Sequence, residues 1–286
     1  MLKQTLLAFT VLGFAGTAAA ADITNPFFLP ESLHMASVTS FDFARAQRKS
    51  NGTTTTVNTP GTVAPVVTGT DAENTRVYGK LLTEKLQFGI LNNLALIGEV
   101  GKTWLKGKDR LDGTSAKWHN DLDWNAGLAW NILHCNTKLQ VSSVYGQEAP
   151  RNPQRSVLDH QGTYKYFDTE VKLGYQFKTF LPYVTFNVHT PVAQTEQDRL
   201  NKWSYNGKVG VYQGKCGVWS LDTALAWKFD RTAEHARTLA AEAEASYYLT
   251  KNMTVGVYGS YMLDGKAKNH TDLYDKTVGA RLRLYF

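Results

Sequence analysis

His119, Asp121 and Asp123 are spaced at alternate positions, so an extended strand carries an imidazole and two carboxylates on one face. Such a set can relay a proton or orient a water molecule. The same pattern also makes an ordinary wet wall, and other segments carry alternating acids with no histidine between them, such as Asp168 with Glu170 and Glu242 with Glu244. A polar wall accounts for all of these segments together, so no catalytic residue is assigned. No His-x-x-x-His or Cys-x-x-Cys spacing and no glycine-rich phosphate loop occurs among the 286 residues. Neither a metal site nor a cofactor is expected. The functional candidates are therefore the charges that alternate with apolar residues: Asp121, Asp123, Asp168, Glu170, Lys172, Asp222, Lys228, Glu242, Glu244, Arg281 and Arg283.

The elements that position these charges read as long strands. Trp118, Leu122, Trp124, Ala126, Leu128, Trp130 and Ile132 alternate with polar or small residues from His119 to Asn131, a period of two that helical spacing would scramble. Phe167 to Phe177, Trp219 to Phe229 and Val278 to Phe286 repeat the pattern. Strands are expected near residues 35 to 45, 76 to 91, 94 to 105, 118 to 133, 137 to 147, 164 to 177, 180 to 190, 202 to 213, 218 to 230, 239 to 249, 253 to 264 and 273 to 286. Tight links such as Asn92-Asn93 and Thr250-Lys251-Asn252 alternate with long polar ones. An up-and-down antiparallel barrel in a membrane has this rhythm, with short turns on one side and long loops on the other. A soluble sandwich also alternates, but its strands are usually about half as long as several of these.

Two places strain the pattern. Glu84 falls on the apolar face of Leu82, Leu86 and Phe88, which predicts a bulge or a register slip there. The Ala- and Glu-rich stretch 232–245 also admits a helix, although Leu239, Ala241, Ala243, Ala245 and Tyr247 keep the strand alternation. Residues 46–75 are rich in Thr, Ser, Gly and Pro and read as a mobile external loop.

Ahead of the strands, Lys3, the apolar run from Leu6 to Ala15 and the small residues Ala18 and Ala20 read as a signal peptide over residues 1–20. No other run is long and apolar enough for a membrane helix. Residues 21–34, with Asn25-Pro26-Phe27-Phe28-Leu29-Pro30, form either a periplasmic tail or a plug in the lumen, and residues 35–286 form the barrel. Cys135 and Cys216 fall in two different short turns, roughly 20 Å apart in a barrel of about twelve strands, so two free thiols are expected.

The signal peptide, the alternating strands and the terminal run Arg281-Leu282-Arg283-Leu284-Tyr285-Phe286 resemble the Gram-negative outer-membrane β-barrel superfamily, porins among them. The resemblance implies an all-β transmembrane barrel in the bacterial outer membrane. It further implies that Leu282, Leu284 and Phe286 are the signal read by the barrel-assembly machinery. Expected partners are that machinery, outer-membrane lipid and lipopolysaccharide, and small polar solutes, while oligomeric state is left open. The loop cations Lys106, Lys108, Arg110, Lys117, Arg151 and Arg155 suit lipopolysaccharide phosphates or plain solvent. An exported chain does not meet nucleic acid, and its net charge of +6 is thinly spread. A porin-like channel for small polar or charged solutes is the leading expectation. A structural or adhesive barrel acting through its loops, and a barrel hydrolase, are the alternatives.

On the wall itself, counting upward from each turn puts Asp222, Glu242, Glu244, Arg281 and Arg283 at similar heights. Gly127, Ala129, Ser142 and Gly174 lie roughly opposite. An open, off-centre constriction with one charged wall is expected.

Overall fold

The computed structural model describes residues 22–50, 54–57, 66–69, 73–109, 115–119, 122–148, 164–192, 203–230, 236–267 and 271–286. The signal-peptide stretch, Asp121, Arg110, Arg151 and Arg155 lie outside the described residues, as do the side chains of Lys108, Lys117 and His119.

Twelve antiparallel strands build the wall: β1 (Met35–Ser50), β2 (Glu73–Leu91), β3 (Leu94–Asp109), β4 (Asp123–His134), β5 (Thr137–Glu148), β6 (Tyr164–Tyr175), β7 (Phe180–Pro191), β8 (Ser204–Lys215), β9 (Trp219–Asp230), β10 (Arg237–Thr250), β11 (Met253–Ala267) and β12 (Thr271–Tyr285). Each strand pairs with the next, and β1 pairs with both β2 and β12, so the sheet closes. Closure leaves no backbone edge open to lipid. The seam is completed at the chain terminus, where Phe286 N donates to Met35 O at 2.8 Å and Met35 N to Phe286 O at 3.0 Å. A twelve-residue strand such as β4 rises about 3.3 Å per residue and, tilted by about 40°, spans roughly 30 Å, which matches a bilayer core.

The alternation read from the sequence sorts the two faces. Leu96, Leu128, Trp130, Val171, Phe186, Val209, Leu225, Tyr247 and Val257 are exposed on the outside. A band of this kind is stable only against lipid. No described helix is long and apolar enough to cross a membrane.

The structure alters two expectations and bears out the strand reading of a third stretch. Glu84 does face outward, and its strand runs in unbroken register with β1 from Met35↔Phe88 to Ser50↔Glu73. The irregularity in β2 falls instead between Gly89 and Leu91. Glu84 is accommodated because Thr39, its partner across the ladder, donates an Oγ1 hydrogen bond to its carboxylate at 2.5 Å. Residues 237–250 are strand β10 rather than helix, with register shifts at Leu239/Ala240 and Tyr248/Thr250. The expected long loop after residue 45 is partly sheet: β1 continues to Ser50, β2 begins at Glu73, and Thr54–Val57 pairs with Val66–Gly69. A further segment, Ser115–His119, extends the pairing of β3 above β4. Cys135 and Cys216 are exposed and unbridged in their turns.

Candidate functional site

Residues 22–34 pack against inward-facing side chains of the barrel wall. The segment enters between the aromatic side chains of β8 and β10: Tyr212 Oη donates to Asp22 at 2.6 Å and Tyr248 Oη at 2.9 Å, while Thr24 Oγ1 lies 2.8 Å from the Tyr212 hydroxyl. Ile23 packs with Ala36, Tyr248 and Tyr285. Phe27 then inserts against Leu181, Tyr183 and Tyr212, with its ring edge-on to Tyr183 at 6.5 Å. A side chain at Gly174 would come within 2.8 Å of the Phe27 ring, so this glycine makes the Phe27 socket. The segment's backbone is also held: Asn131 and Gln140 donate to Phe27 O at 3.1 and 3.4 Å, and Lys172 to Pro26 O at 3.3 Å.

Leu29 reaches the far wall, where it packs with Ala95, Ile97 and Ala129. The chain leaves over Gly89, where a Cβ would meet Glu31 O at 1.9 Å, and turns into β1 through Leu33 in a left-handed conformation (φ 65°). That conformation is uncommon and costly for a side chain of this size. Leu33 N donates to Gly89 O at 2.8 Å, which helps to hold the turn.

Above this floor lies a cavity of about 360 Å³. Its wall is charged. Lys85, Glu99, Glu170, Lys172, Asp222, Glu244, Arg281 and Arg283 all border it. Arg281 and Arg283 both pair with Glu244, and Arg283 also donates to Ser246 at 3.3 Å. The Arg281 guanidinium lies 4.2 Å from the centre of the Tyr258 ring. Lys208 and Glu242 pair at 2.5 Å, and Lys172 and Glu170 at 3.2 Å. Asp222 finds no base here: Tyr183 Oη donates to both of its oxygens at 2.9 and 3.1 Å. Charges paired along one wall cost less desolvation than isolated ones, and they keep the lumen hydrated.

The residues named from sequence distribute as follows. Glu170, Lys172, Asp222, Glu244, Arg281 and Arg283 border the cavity, and Glu242 extends the same inward row on β10. Asp123, Asp168 and Lys228 alternate with outward residues and sit higher, toward the external mouth, where Lys228 is exposed. Leu282 and Leu284 alternate outward on β12 opposite Thr39 and Ser37, and Phe286 closes the seam. The expected opening opposite the arginines is not empty. Gly174 receives Phe27, and Gly127 lies against the neighbouring backbone, where a Cβ would meet Ser143 O at 1.9 Å. Gly174 and Gly127 thus accommodate the inner segment and the sheet, whereas Ala129 and Ser142 border the cavity together with Arg281 and Arg283.

Sequence reading missed several participants. Lys85 and Glu99 face each other in register across β2 and β3, and the doubt about Glu84 had hidden their inward face. Leu181 and Tyr183 on β7 and Tyr212 on β8 are apolar or aromatic residues that point inward, so the lower part of β7 lacks the wet face that returns above it at Thr185, Asn187 and His189. Their signal was the plug segment itself. A histidine beside an inward acid was also overlooked: His189 and Asp168 are direct register partners at 2.8 Å, with the Tyr166 ring 4.7 Å from the imidazole.

No family model and no curated protein sequence matches the chain. Among solved structures it is similar to an outer-membrane channel from Pseudomonas putida F1, at 10% identity and a TM-score of 0.62 over 92% of this chain and 98% of that one. A FadL homologue from Pseudomonas aeruginosa gives 9% identity and a TM-score of 0.47 over 88% and 90% of the two chains. The toluene transporter TbuX from Ralstonia pickettii gives 9% and 0.47 over 92% of each. The first of these likenesses shows that the closed antiparallel β-barrel is a fold shared with that channel.

Proposed function

Because the chain is an outer-membrane β-barrel of the Gram-negative type, we propose that it is a channel for small polar or charged solutes, closed at its periplasmic end by residues 22–34. The observation that carries this reading is the charged cavity lying directly on a plug held by side-chain bonds and packing. The plug's backbone is held to the wall by the pairing of Leu33 with Gly89 and by the side chains of Asn131, Gln140 and Lys172 on Phe27 O and Pro26 O. Breaking the Asp22 and Thr24 contacts frees its leading end, while Leu33 serves as the hinge. A solute in the cavity exchanges its water shell for the arginine, lysine and carboxylate groups of the wall. The match in fold to a channel from Pseudomonas putida supports the class of function and says nothing of the solute.

Planar-bilayer recording of the purified protein tests this. Wild type is expected to show small, infrequent openings, and a variant lacking residues 22–31 several-fold larger ones. Arg281→Gln with Arg283→Gln should shift the reversal potential toward cation preference under a salt gradient. Glutamine is chosen because two further carboxylates beside Glu244 endanger assembly. Silence of both wild type and plug-deleted protein, with the barrel shown to be folded, overturns the channel reading. A hydrolase is the second reading, resting on the His189–Asp168 pair. Peptide or phospholipid hydrolysis lost in His189→Ala, in a protein without conductance, would establish it.

A further inference from the structure

The outside of the barrel is not uniform at the level of the outer membrane surface. On β4 to β9 the upper girdle is chiefly aromatic, with Lys165 two positions above Phe167 on the same outward face: Trp124, Tyr145 and Phe167 form a chain with ring centres 6.0 and 5.3 Å apart, and Phe186 stacks on Tyr205 at 6.2 Å. On β12, β1, β2 and β3 the same level is basic. Arg45 faces Lys276 on one side and Tyr78 on the other. Phe43 faces Lys80, Lys80 faces Trp104, Tyr78 faces Lys106, and Lys102 follows two positions below Trp104.

All of these point away from the lumen, because Phe43, Tyr78, Trp104 and Val278 are exposed in the same rows. Three of the cations lean on aromatic rings: Arg45 over Tyr78 at 5.9 Å, Lys80 over Phe43 at 5.8 Å and Lys102 over Trp104 at 5.9 Å. These contacts hold the charges at fixed positions on the wall.

The charges lie roughly 25 Å above the periplasmic edge, where the apolar band of such a barrel ends. The nearest acids on this face are already engaged, Glu84 below with Thr39 and Asp272 above with Lys266. Four adjacent strands therefore present a row of cations, flanked by aromatic rings, against the phosphate layer of the outer leaflet. Below the row, Leu82, Phe41, Leu86 and Val278 offer acyl chains an apolar surface.

We propose that this face is a binding site for a phosphorylated glycolipid, the lipid A portion of lipopolysaccharide, whose phosphates are held by Arg45, Lys80, Lys102 and Lys276 and whose acyl chains lie along the apolar residues beneath. Of the cations that sequence placed in loops, Lys106 stands on β3 beside this row, and the row as a whole is built on the rigid sheet. It is independent of whether the lumen conducts.

Native mass spectrometry of the detergent-solubilised protein tests it, with bis-phosphorylated lipid A and its dephosphorylated form as probes. Wild type should retain the phosphorylated lipid and release the dephosphorylated one. Each cation near an anionic lipid surface strengthens binding about fivefold, so Arg45→Gln, Lys80→Gln and Lys102→Gln together should weaken it on the order of a hundredfold. Lys165→Gln with Arg237→Gln, exposed charges elsewhere on the barrel, should leave it unchanged. Heat-modifiable migration on gels verifies that each variant is folded, and single replacements stand in if the triple variant is not. Equal retention of both lipid forms, or binding by the folded triple variant at the wild-type level, overturns the proposal.

Discussion

The two sides of this barrel solve the same membrane problem differently. Strands β4 to β9 have 12 residues each, whereas β11, β12, β1, β2 and β3 have 15, 15, 16, 19 and 16. Short turns level the periplasmic end all round, so the extra length stands on the external side. The short side wears an aromatic girdle and carries the sockets for Phe27. The tall side wears the basic row and faces the lumen with Arg281 and Arg283. The bilayer dictates only the height of the apolar band. What stands above it is free to differ, and here it differs in both length and charge.

The largest effect expected from breaking this comparison is a charge placed in the band of the short side. Leu225 is half exposed, pairs with Ala241 and Val209, and has no polar neighbour like the one that supports Glu84 on the tall side. Leu225→Arg should destabilise the barrel by about 2 to 4 kcal/mol, against little change for the neighbouring inward Ala224→Arg, whose charge stays in water. Urea unfolding in lipid vesicles measures both. Equal losses at the two positions would show that the assignment of faces is wrong.

This division into faces was the most legible property of the sequence. Period-two alternation over β4, β6, β9 and β12 needs only the bilayer outside and water inside, so twelve strands and their inward charges could be read directly. Height was not legible. The rim of β1 and β2 has the polar, Thr- and Ser-rich composition of a loop because it stands clear of lipid, and composition cannot separate a solvated strand from a coil there. The plug was undecidable for a different reason. Its residues and the lower walls of β7 and β8, at Leu181, Tyr183 and Tyr212, are both apolar or aromatic, and each explains the other only once they meet, as Phe27 and Tyr183 do.

A smaller effect is expected on the tall side at Glu84. Its carboxylate faces the lipid band and rests on one hydrogen bond from Thr39. Thr39→Val removes that donor without changing the shape of the residue, so Glu84 loses its partner at a cost of about 1 to 3 kcal/mol. Glu84→Gln in the Thr39→Val background should recover most of the loss, because a neutral amide tolerates the apolar surroundings better. Unfolding free energies of the single and the double variant, compared with the wild type, decide it. A lack of recovery would mean that Thr39 acts through packing rather than through the acid.

The smallest effect lies at the top of the tall side, where the pairing of β11 with β12 breaks between Tyr261 and Lys266 and resumes at Lys266↔Asp272. Lys266 Nζ donates to Asp272 Oδ1 at 2.6 Å across this resumed rung. The bond and the ammonium charge hold the Asp272 carboxyl below its usual range and, reciprocally, raise Lys266 above the usual lysine range. A depressed acid contributes to stability above its unfolded value of about 3.9, and that contribution disappears as pH falls through the folded value. A raised base contributes below its unfolded value of about 10.4, and loses that contribution as pH rises through the folded value. The pair therefore steadies the rim between roughly pH 4 and pH 10 and releases it at both ends. Both side chains reach solvent, at 49% and 37% exposure, so global stability should not change measurably. Carbon-13 titration of the Asp272 carboxyl should give a midpoint below the ordinary value in wild type and an ordinary one in Lys266→Met. Amide exchange should accelerate in that variant from residue 266 to 272 while β8 and β9 stay as protected as before. An unshifted Asp272 midpoint in wild type would break the link between the charge pair and the extra height of this side.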